Sequence, residues 1–246
     1  MLEVKGLSKR FGGLAAIADL SFTLPRGQIL GVIGPNGAGK TTLLNLITGY
    51  LTPSGGTILL EGRELVGLAP YEICRLGVAR TFQVVRPFAE MSVSDNVMTG
   101  ALFASNQRVS NAEARDRADH SLELVGLMHK RDALAGELTI GEKKKLELAR
   151  SLATDPKLLF LDEVMAGLSG SEADALMDVV ECVADSGTTI LMIEHLVGVI
   201  LALTDRVLVL NFGRELFQGL PEEVVAHPEV IDSYLGKPLE QSHAVR

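Results

Sequence analysis

Two short runs of side chains carry most of the chemistry this chain could perform. The first, Gly34-Pro35-Asn36-Gly37-Ala38-Gly39-Lys40-Thr41, fits G-x-x-x-x-G-K-[ST] at every position. It follows an apolar stretch at 28–33 and precedes a helical pattern at 42–48 that opens on Thr42, the strand-loop-helix context that the motif needs. Glycines let successive backbone N–H groups turn inward around a polyphosphate, and the start of the helix aims its positive end at the same anion. Lys40 adds a point charge, and the Thr41 hydroxyl is a ligand for Mg²⁺. A glycine-rich turn that merely joined strand to helix would need neither. The second run, Lys157-Leu158-Leu159-Phe160-Leu161-Asp162-Glu163, is an apolar strand that ends in two carboxylates. A parallel strand delivers such residues to the crevice where ligands bind. There Asp162 would hold Mg²⁺ and Glu163 would orient and polarise an attacking water. Either acid alone would be a charged strand end in solvent; together, downstream of a metal-requiring phosphate loop, they form a hydrolytic pair.

The surrounding elements must bring these runs together. The first 65 residues are β-rich, with candidate strands at 2–4, 21–24, 28–33 and 57–60. From 94 to about 153 the chain is Ala-, Leu- and Arg-rich at helical spacing, as in 111–126, and has no strand-like run, which predicts an all-helical insertion. Strand signals return at 158–161, 189–193 and 206–210, with helical stretches at 171–184 and 195–203 between them. Apolar strands alternating with helices predict an α/β fold, with a mostly parallel sheet covered on both faces. Asn211-Phe212-Gly213 predicts a hairpin turn, 221–234 a terminal helical segment and 237–246 a loose tail.

Composition narrows the partners. Among 246 residues, 23 basic side chains face 31 acidic ones, a net charge of −8, which argues against nucleic acid as the primary partner. Attraction for a phosphate must then be local. Cys74 and Cys182 are too few and too far apart for a disulfide framework or metal cluster; they are expected to be free thiols in a reducing compartment, behaving as small buried hydrophobes. The start, Met1 to Lys5, lacks the apolar run of a secretory signal, and the apolar neighbourhood at 189–203 is interrupted by Glu194 and His195. A cytoplasmic protein is expected, with any membrane association borrowed from a partner.

At this point the chain resembles the ATP-binding subunits of ABC transporters. The resemblance rests on the order phosphate loop, Gln83, Leu138 to Glu142, Asp162-Glu163, His195, which covers most of the chain. It implies a P-loop NTPase (RecA-like) core with an N-terminal antiparallel β subdomain, and a single ABC ATPase domain over 1–246. Within it, 1–83 and 155–220 would form the core with the β subdomain, 84–154 a helical subdomain, and 221–246 a C-terminal helix and tail. It also implies that Phe11 lies under adenine, where stacking is chemically sensible. Gln83 would touch Mg²⁺ and the attacking water, and His195 the γ-phosphate. Leu138-Thr139-Ile140-Gly141-Glu142 corresponds to the signature usually written L-S-G-G-Q and differs at three of its five positions. The same residues make a T-x-x-E capping box for a helix over 140–153. By resemblance, Thr139, Gly141 and Glu142 would meet the ATP of a second copy, through that helix's N–H groups and dipole. Lys143-Lys144-Lys145 is expected to be a solvated helix face. Ser169 stands where the family usually has aspartate.

The partners implied by resemblance are a second ABC ATPase, identical or related, and integral membrane permeases that would hold the chain at the inner face of the plasma membrane. Indirectly they include a periplasmic solute-binding protein. The stretch Val84 to Met91 is where the family receives a coupling helix, although Phe88 and Met91 could equally pack within the subdomain. Arg80-Thr81-Phe82-Gln83, Met192-Ile193-Glu194-His195 and the ending from His227 to Gly236 resemble the ATPases of importers for branched-chain and other hydrophobic amino acids, a group that includes urea and amide importers. An exporter ATPase would share every catalytic residue, and a soluble ABC-type ATPase acting on DNA or ribosomes is a further alternative.

Overall fold

The computed structural model describes residues 1–104 and 109–235, so the expected tail at 237–246 lies outside the described residues. In chain order the elements are β1 (Leu2–Phe11), β2 (Leu14–Leu24), β3 (Ile29–Ile33), α1 (Lys40–Ile47), β4 (Gly55–Leu60), β5 (Arg63–Glu64), α2 (Pro70–Cys74) and β6 (Val78–Arg80). Three longer helices follow, α3 (Val93–Phe103), α4 (Asn111–Leu124) and α5 (Ile140–Leu152). The last part holds β7 (Leu158–Asp162), α6 (Gly170–Asp185), β8 (Thr189–Ile193), α7 (Val197–Leu203), β9 (Arg206–Asn211), β10 (Arg214–Gly219) and α8 (Pro221–Ala226).

Two sheets result. The antiparallel one has strand order β2-β1-β4-β5, and the larger one has order β10-β9-β3-β8-β7-β6. In the larger sheet β9, β3, β8, β7 and β6 run parallel, and β10 closes the edge as an antiparallel hairpin on β9. Its turn places Phe212 at φ 45° and Gly213 at φ 75°, the left-handed pair that a tight two-residue hairpin requires. The parallel strands are buried on both faces, and their side chains alternate between two cores. Leu159, Leu161, Ile190, Met192, Val207 and Val209 face the cluster shared with the helical region, whereas Leu158, Phe160, Leu191, Ile193, Leu208 and Leu210 face α1 and the antiparallel sheet.

The helical region packs through small side chains at helical spacing: Val93, Val97 and Ala101 of α3, Ala114, Ala118 and Leu122 of α4, and Leu146 and Ala149 of α5 are all buried. The mostly parallel sheet, the antiparallel N-terminal sheet and the helices at 93–152 agree with expectation.

Several details differ. β1 and β2 are far longer than the stretches at 2–4 and 21–24, because Lys5, Ser8, Lys9 and Arg10 interrupt apolar alternation while register shifts let the ladder continue. The segment expected to be helical over 221–234 breaks at His227, which is extended before Pro228, and ends in one π-helical turn, Ile231–Leu235. Cys74 is half-buried and Cys182 is exposed on α6, so the expectation that both are buried fails for Cys182.

Candidate active site

The phosphate loop joins β3 to α1, and two of its glycines are dictated by close approach. A Cβ on Gly34 (φ 147°) would stand 2.1 Å from the Leu210 carbonyl oxygen, and one on Gly39 (φ 108°) would stand 2.7 Å from that of Ala16. The loop is fastened to the β9–β10 turn, where the Gly213 N–H donates to the Ala38 carbonyl at 2.9 Å. No side chain caps α1 and no acid occupies its first turn, so its leading N–H groups are open to an anion. Lys40 is only 6% exposed, and its ammonium donates to the carbonyls of Gly34 (2.6 Å) and Pro35 (3.1 Å). Burial pushes its pKa down, while the charges of Glu163 and then Asp162 oppose that fall, so lysine and acids sense one another across the site. Asn36, Gly37, Lys40, Thr41, Thr42, Gln83 and Glu163 line a cleft of about 380 Å³, walled also by Leu14, Ala15, Ala16 and Phe212.

The strand order β3-β8-β7-β6 sets the remaining groups side by side. Asp162, 3% exposed at the end of β7, is ion-paired to Arg80 at 2.9 Å, and Arg80 also donates to Asn45 Oδ1 at 2.7 Å. The Arg80 guanidinium lies 5.1 Å from the Phe82 ring centroid. Glu163 adopts φ 52°, a left-handed conformation that costs a non-glycine residue on the order of 1–3 kcal/mol. Three contacts hold it: its N–H donates to the Ile193 carbonyl (2.9 Å), and its own carbonyl and that of Ala166 accept from Lys144 Nζ, the former at 3.2 Å. Its carboxylate bridges two predicted site residues, with Gln83 Nε2 at 2.8 Å from Oε2 and His195 Nε2 at 2.8 Å from Oε1.

Gln83, Glu163 and His195 therefore meet beside the cleft that Lys40, Thr41 and Thr42 line. Phe11 does not line it; its ring is 48% exposed at the end of β1 with Lys9 Nζ 5.1 Å from its centroid. Nor do Thr139, Gly141 and Glu142 line it. They begin α5 as a complete capping box: the Glu142 N–H donates to Thr139 Oγ1 (3.2 Å), and Glu142 Oε2 accepts from the Thr139 N–H (2.9 Å). The Thr139 N–H, followed by nearby Lys130 and His129, holds the Glu142 carboxyl below its usual range.

Lys144 corrects the expectation of a solvated lysine face, because it is half-buried and struts the loop after β7. Burial lowers its pKa, against the charges of Glu194 and Glu163. Arg80, Lys144 and Glu194 are site residues that sequence reasoning missed. Glu194, 1% exposed, accepts from the Met165 N–H at 3.0 Å, and burial raises its pKa. For Arg80 and Glu194 the available signal was a charge within or just after a buried strand; Lys144, on α5, had none of that kind. Beside the site, Phe88 lines a second hollow of about 450 Å³ together with Tyr50, Tyr71, Phe82, Phe103 and Arg150; Met91 does not line it.

Comparison with known proteins accords with this geometry. Residues 17–166 match the ABC transporter family, and 214–239 match the branched-chain amino acid ATP-binding cassette transporter family. The high-affinity branched-chain amino acid transport ATP-binding protein LivG of Salmonella typhimurium is 42% identical over 250 residues, covering 96% of this chain and 98% of LivG. BraF of Pseudomonas aeruginosa, of the same description, is 40% identical over 96% of this chain and 98% of its own. The ADP conformation of MJ1267, an ATP-binding cassette of an ABC transporter, superposes with a TM-score of 0.87 at 31% identity, covering 96% of this chain and 99% of that one. At these identities and coverages the chain belongs to the ABC transporter family, as an ATP-hydrolysing cassette of its branched-chain amino acid branch.

Proposed function

We propose that this chain is the motor subunit of an importer for branched-chain or other hydrophobic amino acids, coupling ATP binding and hydrolysis to transport. The observation that carries the hydrolytic part is the Glu163 carboxylate, bridged between Gln83 and His195 and sensed electrostatically by the buried Lys40. In this reading the α1 N–H groups and Lys40 take the phosphates, and Glu163 accepts a proton from the attacking water that Gln83 helps orient. His195 presents Nε2 to the γ-phosphate. The donors assigned to a metal, the Thr41 hydroxyl, the Gln83 amide oxygen and the Asp162 carboxylate, are all oxygens, which suits hard Mg²⁺. When bound, Mg²⁺ would neutralise charge on the phosphates.

The described side chains leave one side of the cleft without a charged finger, and the α5 start lies off it. We therefore assign Thr139, Gly141 and Glu142 to the ATP of a second ABC ATPase, identical or related, with ATP between the two. The capping box turns the Glu142 carboxylate back onto the Thr139 N–H at the start of its own helix. Phe11, exposed, is free to stack on adenine. We divide the chain into a core (1–83 and 155–220), a helical unit (84–154) and a C-terminal segment (221–246).

No described helix is long and apolar enough to cross a membrane. The apolar hollow with Phe88 and Phe103 at its wall is the surface we assign to a permease, which would hold the chain on the inner face of the membrane. A periplasmic binding protein would act through that permease. The test is reconstitution with a candidate permease pair, measuring ATP turnover as each solute and its binding protein are added. Stimulation by a branched-chain or hydrophobic amino acid supports the reading. Turnover that ignores the permeases but rises with nucleic acid overturns it.

A further inference from the structure

The imidazole of His195 is held from both sides. Nε2 lies 2.8 Å from Glu163 Oε1, and Nδ1 lies 3.2 Å from the hydroxyl of Tyr234, whose ring centroid is 6.5 Å away at an interplanar angle of 44°. A carboxylate only accepts hydrogen bonds, so in the neutral ring Nε2 carries the hydrogen and Nδ1 is bare. The Tyr234 hydroxyl must then be the donor. Burial, together with the charges of Glu163 and Glu194, pushes the Tyr234 pKa up and keeps that proton in place. The opposite tautomer would set an Nε2 lone pair against the carboxylate and a Tyr234 oxygen against an Nδ1–H.

Tyr234 comes from the π-helical turn Ile231–Leu235. That turn is anchored by the fully buried Val230 and by the Ser233 hydroxyl donating to the Glu229 carbonyl at 2.5 Å. The turn falls within 214–239, which matches the branched-chain family, and outside 17–166, which matches ABC transporters at large.

We propose that Tyr234 is a positioning residue for His195: its O–H···Nδ1 bond fixes the imidazole as the Nε2–H tautomer that faces Glu163 and the phosphate cleft, making the C-terminal segment part of the ATPase site. The consequence for turnover rests on the reading of His195 as a γ-phosphate contact.

Tyr234→Phe in the full chain removes the bond and keeps the ring. Two measurements test it: the ring ¹⁵N shifts of His195, assigned by their loss in His195→Gln, and steady-state ATP turnover. The wild type should show a single Nε2–H tautomer and the variant an averaged pair, while kcat falls about 3- to 10-fold, as expected for loss of one hydrogen bond. KM for ATP should stay at its wild-type value and Tm should fall by no more than roughly 2–4 °C, the loss of one hydrogen bond; a purely packing role predicts no change in shifts or kcat. Unchanged imidazole shifts would overturn the inference itself. Altered shifts with wild-type kcat would overturn the reading of His195 on which its consequence for turnover rests.

Discussion

Replacing Glu163 by glutamine isolates proton acceptance from every other property of the site. The carboxylate accepts from Gln83 and from His195, each at 2.8 Å. Glutamine offers one acceptor and one donor, so one of these bonds becomes a meeting of two N–H groups unless a neighbour turns. Gln83 is exposed, and rotating its amide by half a turn presents its oxygen to the new NH₂ group. The cost to the fold is then at most one adjusted hydrogen bond, about 1 kcal/mol, or a fall in Tm of roughly 2–4 °C for a chain of this size. Nucleotide affinity should hold or rise, because the change removes a negative charge beside an anionic ligand and leaves Lys40 and the α1 N–H groups intact. A positioned base contributes about 10² to 10⁴ in rate, roughly 3–5 kcal/mol in the barrier, and that is the expected loss in kcat. Phosphate release and calorimetric ATP binding on the same preparation separate the two effects. A kcat within threefold of wild type would refute Glu163 as the base. A matched loss of binding and turnover would show instead that it holds the cradle together.

Lys144→Met strips the donor from the Glu163 and Ala166 carbonyls and should cost about 1–2 kcal/mol of stability, with lower kcat as Glu163 loses its strained backbone; an unchanged melt would remove the strut from the account. Thr139→Ala should lose about 1 kcal/mol through the α5 cap, and Thr139→Ser should restore it, checked by denaturant titration. Glu147 is buried and its pKa is raised, chiefly by desolvation, against Arg150 and the Phe82 N–H. A carboxyl whose folded pKa is raised gives stability that is fully present below its unfolded value near 4.5 and lost as pH climbs through the folded value. Glu147→Gln does not titrate, so its Tm relative to wild type should improve from pH 4 to pH 7; a constant difference would refute the burial argument.

The groups that were legible in the sequence share one property: their types only make sense at fixed spacing. Lys40 and Thr41 follow their glycines, and Asp162-Glu163 closes a run of four apolar residues, so local pattern sufficed to foresee a shared site. Gln83 and His195 needed resemblance, since neither a lone glutamine nor a histidine at a strand end has a local signature. Arg80, Lys144 and Glu194 escaped because their roles are defined by what lies across the fold: an aspartate 82 positions away, carbonyls 19 and 22 positions away, and an N–H 29 positions away. Lys144 was also disguised by its neighbours, as three consecutive lysines on a helix point in different directions and only one meets the loop after β7. The long β1–β2 hairpin was hidden by register shifts, which break the alternation by which a strand is recognised.

The adjacency of β3, β8, β7 and β6 carries the strongest argument about coupling. Each strand ends in one group of the site: the phosphate loop after β3, His195 after β8, Asp162-Glu163 at β7, and Gln83 three residues beyond β6. Glu163 bonds to groups from both neighbouring strands, so a change at its carboxylate acts on β8 and on β6 together. The β6 side leads directly to Phe82, which lines the apolar hollow, and to Phe88, whose ring takes the Arg150 guanidinium of α5 at 5.2 Å. In the proposed reading, then, loss of the γ-phosphate is felt first at Glu163, passed by Gln83 into the segment that walls the permease surface, and delivered to the helix whose start meets the partner's ATP. A rigid connection of this kind needs no long-range wire: five residues separate Phe82 from Phe88, which both line the hollow, and every step between the carboxylate and Phe88 is a direct bond or a chain neighbour.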